Sequence, residues 1–188
     1  MKIKKGTSRV VLVIPNLGIA IKIPRVQLLV VFRGTARLCL KRDWQMLRID
    51  WSMSATHSAG FRGRLLKGLL DNRSEFAFYR RTHDPFLLPT FFSLFGLFNI
   101  QLYGEECGVT RVNLWTQLCG LTDRDVWADS HAFDWPPNFC RRDGKLLILD
   151  YASKGAQEVI EKWGSTIVSR FDFTWDWEKE KQRSEPPG

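Results

Sequence analysis

Four polar residues carry groups that together could serve a charged ligand. Lys22 closes the segment IAIK, Glu75 lies in NRSEFAFYRRT, Asn138 ends HAFDWPPN, and Asp150 follows LLIL. An ammonium can offset phosphate charge, and carboxylate or amide oxygens suit a hard cation such as magnesium. Phosphoryl transfer asks for those groups and for little covalent participation by protein.

The elements that must carry these residues can be read from the pattern. Residues 8–14 (SRVVLVI) are β-branched, PNLG supplies a turn, and residues 19–23 return, which predicts a hairpin with residues 1–5 as a candidate third strand. On the return strand Ala20 and Lys22 share one face and Ile19, Ile21 and Ile23 the other, so Lys22 is expected to project away from the apolar side. Residues 26–32 (VQLLVVF) suit a buried strand or a helix, which periodicity does not separate. Apolar residues from Phe61 to Tyr79 predict one long helix or two short ones between about residues 58 and 82, ended by His83-Asp84-Pro85. Residues 86–95 and 97–103 read as two strands about Gly96, and their low charge points to a mostly buried sheet or else a surface patch awaiting a partner, with burial favoured.

After Gly104 the pattern predicts a helix over about residues 110–119 and then a polar loop with Asp123, Asp125 and Asp129. A hairpin of residues 138–142 and 145–150 turns at Asp143-Gly144, and a helix over about residues 155–170 follows. The hairpin register sets Asn138 opposite about Leu149. Asn138 and Asp150 then converge on one metal only if the chain leaves the ladder at Asp150.

Together the motifs resemble the protein-kinase-like superfamily. IAIK (residues 19–22) matches the V-A-I-K strand, HAFDWPPN (131–138) matches the catalytic loop in length, and LLILDYA (146–152) resembles the apolar strand ending in D-F-G. NRSEFAFYRRT (72–82) is similar to the helix that bears the lysine's glutamate partner, and also to that helix in choline and aminoglycoside kinases. The resemblance covers about residues 8–152. It implies that Lys22 contacts nucleotide phosphates, that Glu75 pairs with Lys22, and that Asn138 and Asp150 hold magnesium, with ATP and Mg2+ as cofactors. The implied fold is α+β and bilobal: an N-terminal antiparallel sheet plus helix over residues 1–104, and a reduced, mainly helical lobe with a β-hairpin over 105–177. Residues 178–188 read as a disordered tail.

The chain departs from the family at three places. Phe133 stands where active kinases have the catalytic aspartate, which leaves Asp134, or Asp129 upstream, as the base. No G-x-G-x-x-G precedes the lysine, so Gly6, Thr7 and Ser8 form the only candidate phosphate-covering turn. Asp150-Tyr151-Ala152 lacks the glycine of D-F-G. By resemblance His131 is structural, and a core position is expected for it.

A formal charge of +8 fits an anionic partner, whether nucleotide, nucleic acid, acidic protein or membrane surface, and equally a basic surface that binds no specific anion. The basic series Arg62, Arg64, Lys67, Arg73, Arg80 and Arg81 is read as a solvated helix face. The four cysteines lack zinc-ligand spacing and read as buried thiols, and the opening MKIKK does not begin a secretory signal, so the cytoplasm is the expected compartment. The expected partners are a nucleotide and a protein substrate or binding partner, with nucleic acid less favoured and no membrane. The competing functions are a phosphotransferase, a pseudokinase acting as a protein-binding module, and more distantly a basic nucleic-acid-binding domain.

Overall fold

The hairpin predicted at the start of the chain forms, with Gly18 at φ 65° closing its turn. The computed structural model describes residues 1–57 and 59–178. Over these the protein is α+β, with six α-helices, a five-stranded antiparallel sheet and a three-stranded sheet. It divides into two units, Met1–Ala77 with Pro89–Tyr103, and Phe78–Leu88 with the chain from Gly104 onward. Apart from Glu178, the tail expected to be disordered lies outside the described residues, as does Ser58, where the long helix was expected to begin.

The first unit holds β1 (Lys2–Lys5), β2 (Arg9–Ile14), β3 (Ile19–Pro24), β4 (Thr90–Ser93) and β5 (Asn99–Leu102), in the order β1-β2-β3-β5-β4. Three helices, α1 (Leu28–Leu40), α2 (Trp44–Ser52) and α3 (Phe61–Thr82), lie in sequence between β3 and β4. Residues 26–32 are therefore helical from Leu28. Asp43 starts α2 as its N-cap, its side chain accepting a hydrogen bond from the Met46 amide at 3.1 Å. α3 is one helix, and Asp71-Asn72 does not interrupt it.

The spacing i, i+4, i+7 puts Gly68, Asn72 and Glu75 on one stripe of α3. All three are buried. Gly68 is needed there: a Cβ at that position would stand 2.2 Å from the Ser8 carbonyl oxygen and 3.0 Å from Pro24 Cα. The helix thus approaches the ends of β2 and β3 more closely than any side chain allows. Gly96, at φ 84° in the β4–β5 turn, would set a Cβ 2.5 Å from the Leu69 carbonyl oxygen.

On β3 Ala20 and Lys22 share one face and the isoleucines the other, as expected, and the face that turns inward is that of Lys22. Lys22 is 4% exposed, whereas Ile23 on the opposite face is 38% exposed. The apolar isoleucines do not mark the inside because the inside of this sheet is polar, with Arg9, Lys22, Thr90, Asn99 and Gln101 all buried. The burial favoured for residues 86–103 is corrected. Phe86, Leu87 and Leu88 are buried, but Phe91, Phe92, Leu94, Phe95 and Leu97 are exposed. Only Thr90–Ser93 of the first predicted strand is a strand in the five-stranded sheet. Phe86–Leu88 belongs to the second unit, where the Leu88 amide donates to Ile148 O and the Ile148 amide to Phe86 O.

The second unit holds β6 (Glu105–Glu106), α4 (Arg111–Leu121), α5 (Ser130–Phe133), β7 (Phe139–Arg142), β8 (Lys145–Ile148) and α6 (Lys154–Arg170). Part of the expected polar loop is a 3-10 helix, Asp125–Asp129. Leu114, Leu118, Phe133, Phe139, Ile148 and Ile160 form one apolar core. Burying each such side chain stabilises by about 1.5–3 kcal/mol. The β7–β8 turn has Asp143 at φ 51° and Gly144 at φ 74°, the backbone that a two-residue hairpin turn requires. Of the cysteines, Cys107 and Cys140 are buried as expected; Cys39 and Cys119 are only half-buried.

Candidate functional site

In the first unit the polar face of the sheet and the stripe of α3 form one buried network. Lys22 Nζ lies 2.9 Å from Glu75 Oε2, and Arg9 Nη1 lies 2.6 Å from Glu75 Oε1. The second contact is an ion pair without hydrogen-bond alignment. Asn72 Nδ2 donates to Lys22 O at 3.2 Å and Gly96 O at 3.0 Å, and Asn99 Nδ2 donates to Asn72 O at 2.8 Å. Glu75 is fully buried, so both cations meet its carboxylate in a low-dielectric setting. Such a carboxylate is costly to bury alone and is retained here by two charged partners.

Arg9, Asn72 and Asn99 were not anticipated from the sequence. One signal for Arg9 was available: the hairpin register pairs Val11 with Lys22, and Arg9 shares its strand face with Val11. The partnership of Asn99 with Lys22 in the β3–β5 ladder was beyond reach, since it depends on a pairing made across the three helices.

The turn formed by Gly6, Thr7 and Ser8 is held by local bonds. The Gly6 amide donates to Arg9 O at 2.8 Å, and Ser8 Oγ donates to Asp71 Oδ2 at 2.9 Å. Two of its donors are thus engaged within the fold, and a carboxylate stands beside Ser8.

In the second unit Asn138 immediately precedes β7. Its backbone oxygen accepts from the Leu149 amide at 2.7 Å, one step beyond the Phe139–Ile148 pair, as the hairpin register predicts. The ladder ends there and Asp150 lies outside it, the departure that convergence with Asn138 requires. Asn138 Nδ2 donates to His131 O at 3.3 Å and Ala132 O at 3.0 Å, which leaves Oδ1 as the side chain's acceptor. After Asp150 the chain is anchored by Tyr151, fully buried, whose hydroxyl donates to Leu88 O at 3.1 Å.

Phe133 is fully buried in the core, its ring 6.4 Å from that of Phe139. Asp134 follows it and accepts an ion-paired hydrogen bond from Arg111. That pair is exposed, and pairs of this kind contribute about 0–1 kcal/mol, so Arg111 does not lock the carboxylate away. Asp129 caps α5 by accepting from the Ala132 amide at 3.3 Å and also accepts from Ser153 Oγ. The core position expected for His131 is corrected: its side chain is exposed because the buried positions of α5 go to Phe133.

Elsewhere in this unit Asp125 Oδ2 accepts from Lys162 Nζ at 2.7 Å and Trp163 Nε1 at 2.8 Å, and these two bonds hold its carboxyl below the ordinary range. Among the described residues no group of three or more His, Cys, Asp or Glu is placed to hold a metal ion. Magnesium does not need one, since it is ordinarily held by one or two protein carboxylates together with substrate phosphates and water. Asn138 and Asp150 carry oxygen donors of that type. No family model, curated protein or solved structure matches the chain.

Proposed function

We propose that the chain is a kinase-like protein that binds ATP with magnesium and transfers phosphate to a hydroxyl of a protein or small molecule. The observation that carries this reading is the buried pair of Lys22 and Glu75, made between β3 and α3 across 53 residues of sequence. An internal carboxylate that fixes a lysine ammonium on a sheet holds the cation in one place before any anion arrives, the kind of preorganisation that favours phosphate oxygens. Arg9 shares Glu75 and adds a second fixed cation.

Asn138 and Asp150 would hold magnesium through oxygen. Asn138 is oriented for this by its two bonds to the α5 carbonyls. Magnesium bound with the nucleotide would neutralise charge on the phosphate oxygens. Asp134, reached by opening its exposed pair with Arg111, would take the proton of the acceptor hydroxyl.

Thermal denaturation with and without ATP and magnesium tests the reading. A ligand present at about 100 times its Kd stabilises the folded chain by about 2.7 kcal/mol. The wild type should gain stability, and Asp150→Ala should gain none relative to its own unliganded midpoint. A wild type unmoved at millimolar nucleotide would end the proposal.

A second reading, a pseudokinase that binds its nucleotide or a protein without transferring phosphate, is favoured by one observation. Phe133 occupies the aspartate position and is built into the core. Labelled phosphate transfer separates the two: activity abolished by Asp134→Asn supports the enzyme, and nucleotide binding without transfer supports the pseudokinase.

A further inference from the structure

The first 42 residues contain ten Lys and Arg and no Asp or Glu. Arg9 and Lys22 are buried around Glu75, and the other eight are exposed. α1 lies within this stretch, and its outward side is divided by chemistry. At about 100° per residue, Leu28, Phe32, Leu29 and Leu40 sweep about 120° of the helix surface, and Arg33, Arg37 and Lys41 take the next about 80°. The four apolar side chains are 66–86% exposed. The inward side carries Val31, which is buried, and Gly34, where a Cβ would stand 2.9 Å from the Phe61 ring. One side of the helix is therefore used by the fold, and an amphipathic side remains.

We propose that this outward side of α1 lies on the surface of a bilayer rich in anionic phospholipid. Leu28, Leu29, Phe32 and Leu40 enter the acyl boundary, and Arg33, Arg37 and Lys41 meet the headgroup phosphates. Two observations select this partner. Phosphodiester strands would engage the cations but offer nothing to four aliphatic and aromatic side chains, whereas a bilayer satisfies both sectors at the depths where they stand. Trp44, 60% exposed at the start of α2, adds the kind of amphipathic ring that favours the headgroup level. The association is peripheral, because α1 has 13 residues and no described helix is long and apolar enough to cross a membrane.

The test is co-sedimentation of the full chain with phosphatidylcholine vesicles, with and without about one-third phosphatidylglycerol, at low and high salt. Binding is expected only to the anionic vesicles and should weaken with salt. Each cation near such a surface strengthens binding roughly fivefold, so Arg33→Glu with Arg37→Glu should lower the partition coefficient by at least about 30-fold. Leu29→Gln with Phe32→Gln should lower it by at least about tenfold. Both positions are exposed, so far-ultraviolet circular dichroism and the thermal midpoint should be unchanged. Absence of binding by the unaltered chain would overturn the proposal, as would binding that survives the loss of Leu29 and Phe32. Self-association relieved by the apolar variant, in a chain that ignores vesicles, would assign the face to a second copy instead. Preference for an acidic peptide or an oligonucleotide over the anionic vesicles would also overturn it.

Discussion

Glu75→Gln removes one charge and almost no volume from the centre of the first unit. The carboxylate is fully buried, and its two cations, Arg9 and Lys22, are 6% and 4% exposed. Without it, two positive groups lose the carboxylate they share in a setting with little water to compensate. Breaking a buried pair from one side typically costs about 3–5 kcal/mol, a large part of the 5–15 kcal/mol by which a domain is stable. For a chain of this size that is a fall in melting temperature on the order of 10 °C. Arg111→Ala supplies the contrast, since the exposed Arg111–Asp134 pair should be worth less than about 1 kcal/mol. Urea denaturation of both variants, with Lys22→Met alone and in the Glu75→Gln background, measures the difference and the coupling. The losses from Glu75→Gln and Lys22→Met should not add. A Glu75→Gln loss below about 1 kcal/mol, or strict additivity with Lys22→Met, would refute the reasoning that this carboxylate organises the network.

Other outcomes follow from the same geometry. Gly68→Ala places a methyl against the Ser8 carbonyl and Pro24; it should cost about 1–3 kcal/mol by denaturation and weaken nucleotide binding by displacing Glu75, one turn pair along the same stripe. Phe133→Asp should not restore a catalytic base, because it buries a charge in the second unit's core; lost stability with no gain in labelled phosphate transfer is expected. Burial, reinforced by the nearby Glu161 carboxylate and opposed by the Phe86 amide, raises the Asp84 carboxyl above its ordinary range. The folded chain therefore holds that proton more tightly than the unfolded one, a contribution present below about pH 4 and lost as pH rises through the folded value. Asp84→Asn should accordingly raise the thermal midpoint at pH 7, and the gain should disappear near pH 4.

What was legible in the sequence is what local chemistry dictates. Asp143-Gly144 adopts positive φ at both residues and sets the Asn138–Leu149 register, and PNLG closes the first hairpin, because such turns depend on a few residues. The pairing of Lys22 with Glu75 was reached through resemblance; composition and periodicity alone would not have joined them. The buried side of α3 was harder to see because Gly68, Asn72 and Glu75 line it, while Leu66, an apolar guide to the helix, is 41% exposed. β3 shows the same inversion, its Lys22 face being buried while Ile23 on the other face is exposed. Where the interior is built from ion pairs and amides, hydrophobic alternation points to the wrong face, and only the partners contributed by distant strands and helices reveal the inside. His131 was misplaced for a related reason: a four-residue helix has one inward position, and Phe133 fills it.

Equilibrium titration of a fluorescent ATP analogue, followed by anisotropy with and without magnesium, tests the proposed function most directly. Magnesium-dependent binding is predicted for the wild type, abolished by Asp150→Ala and weakened by Lys22→Met. Absence of binding at millimolar nucleotide, or binding that neither substitution alters, would contradict it.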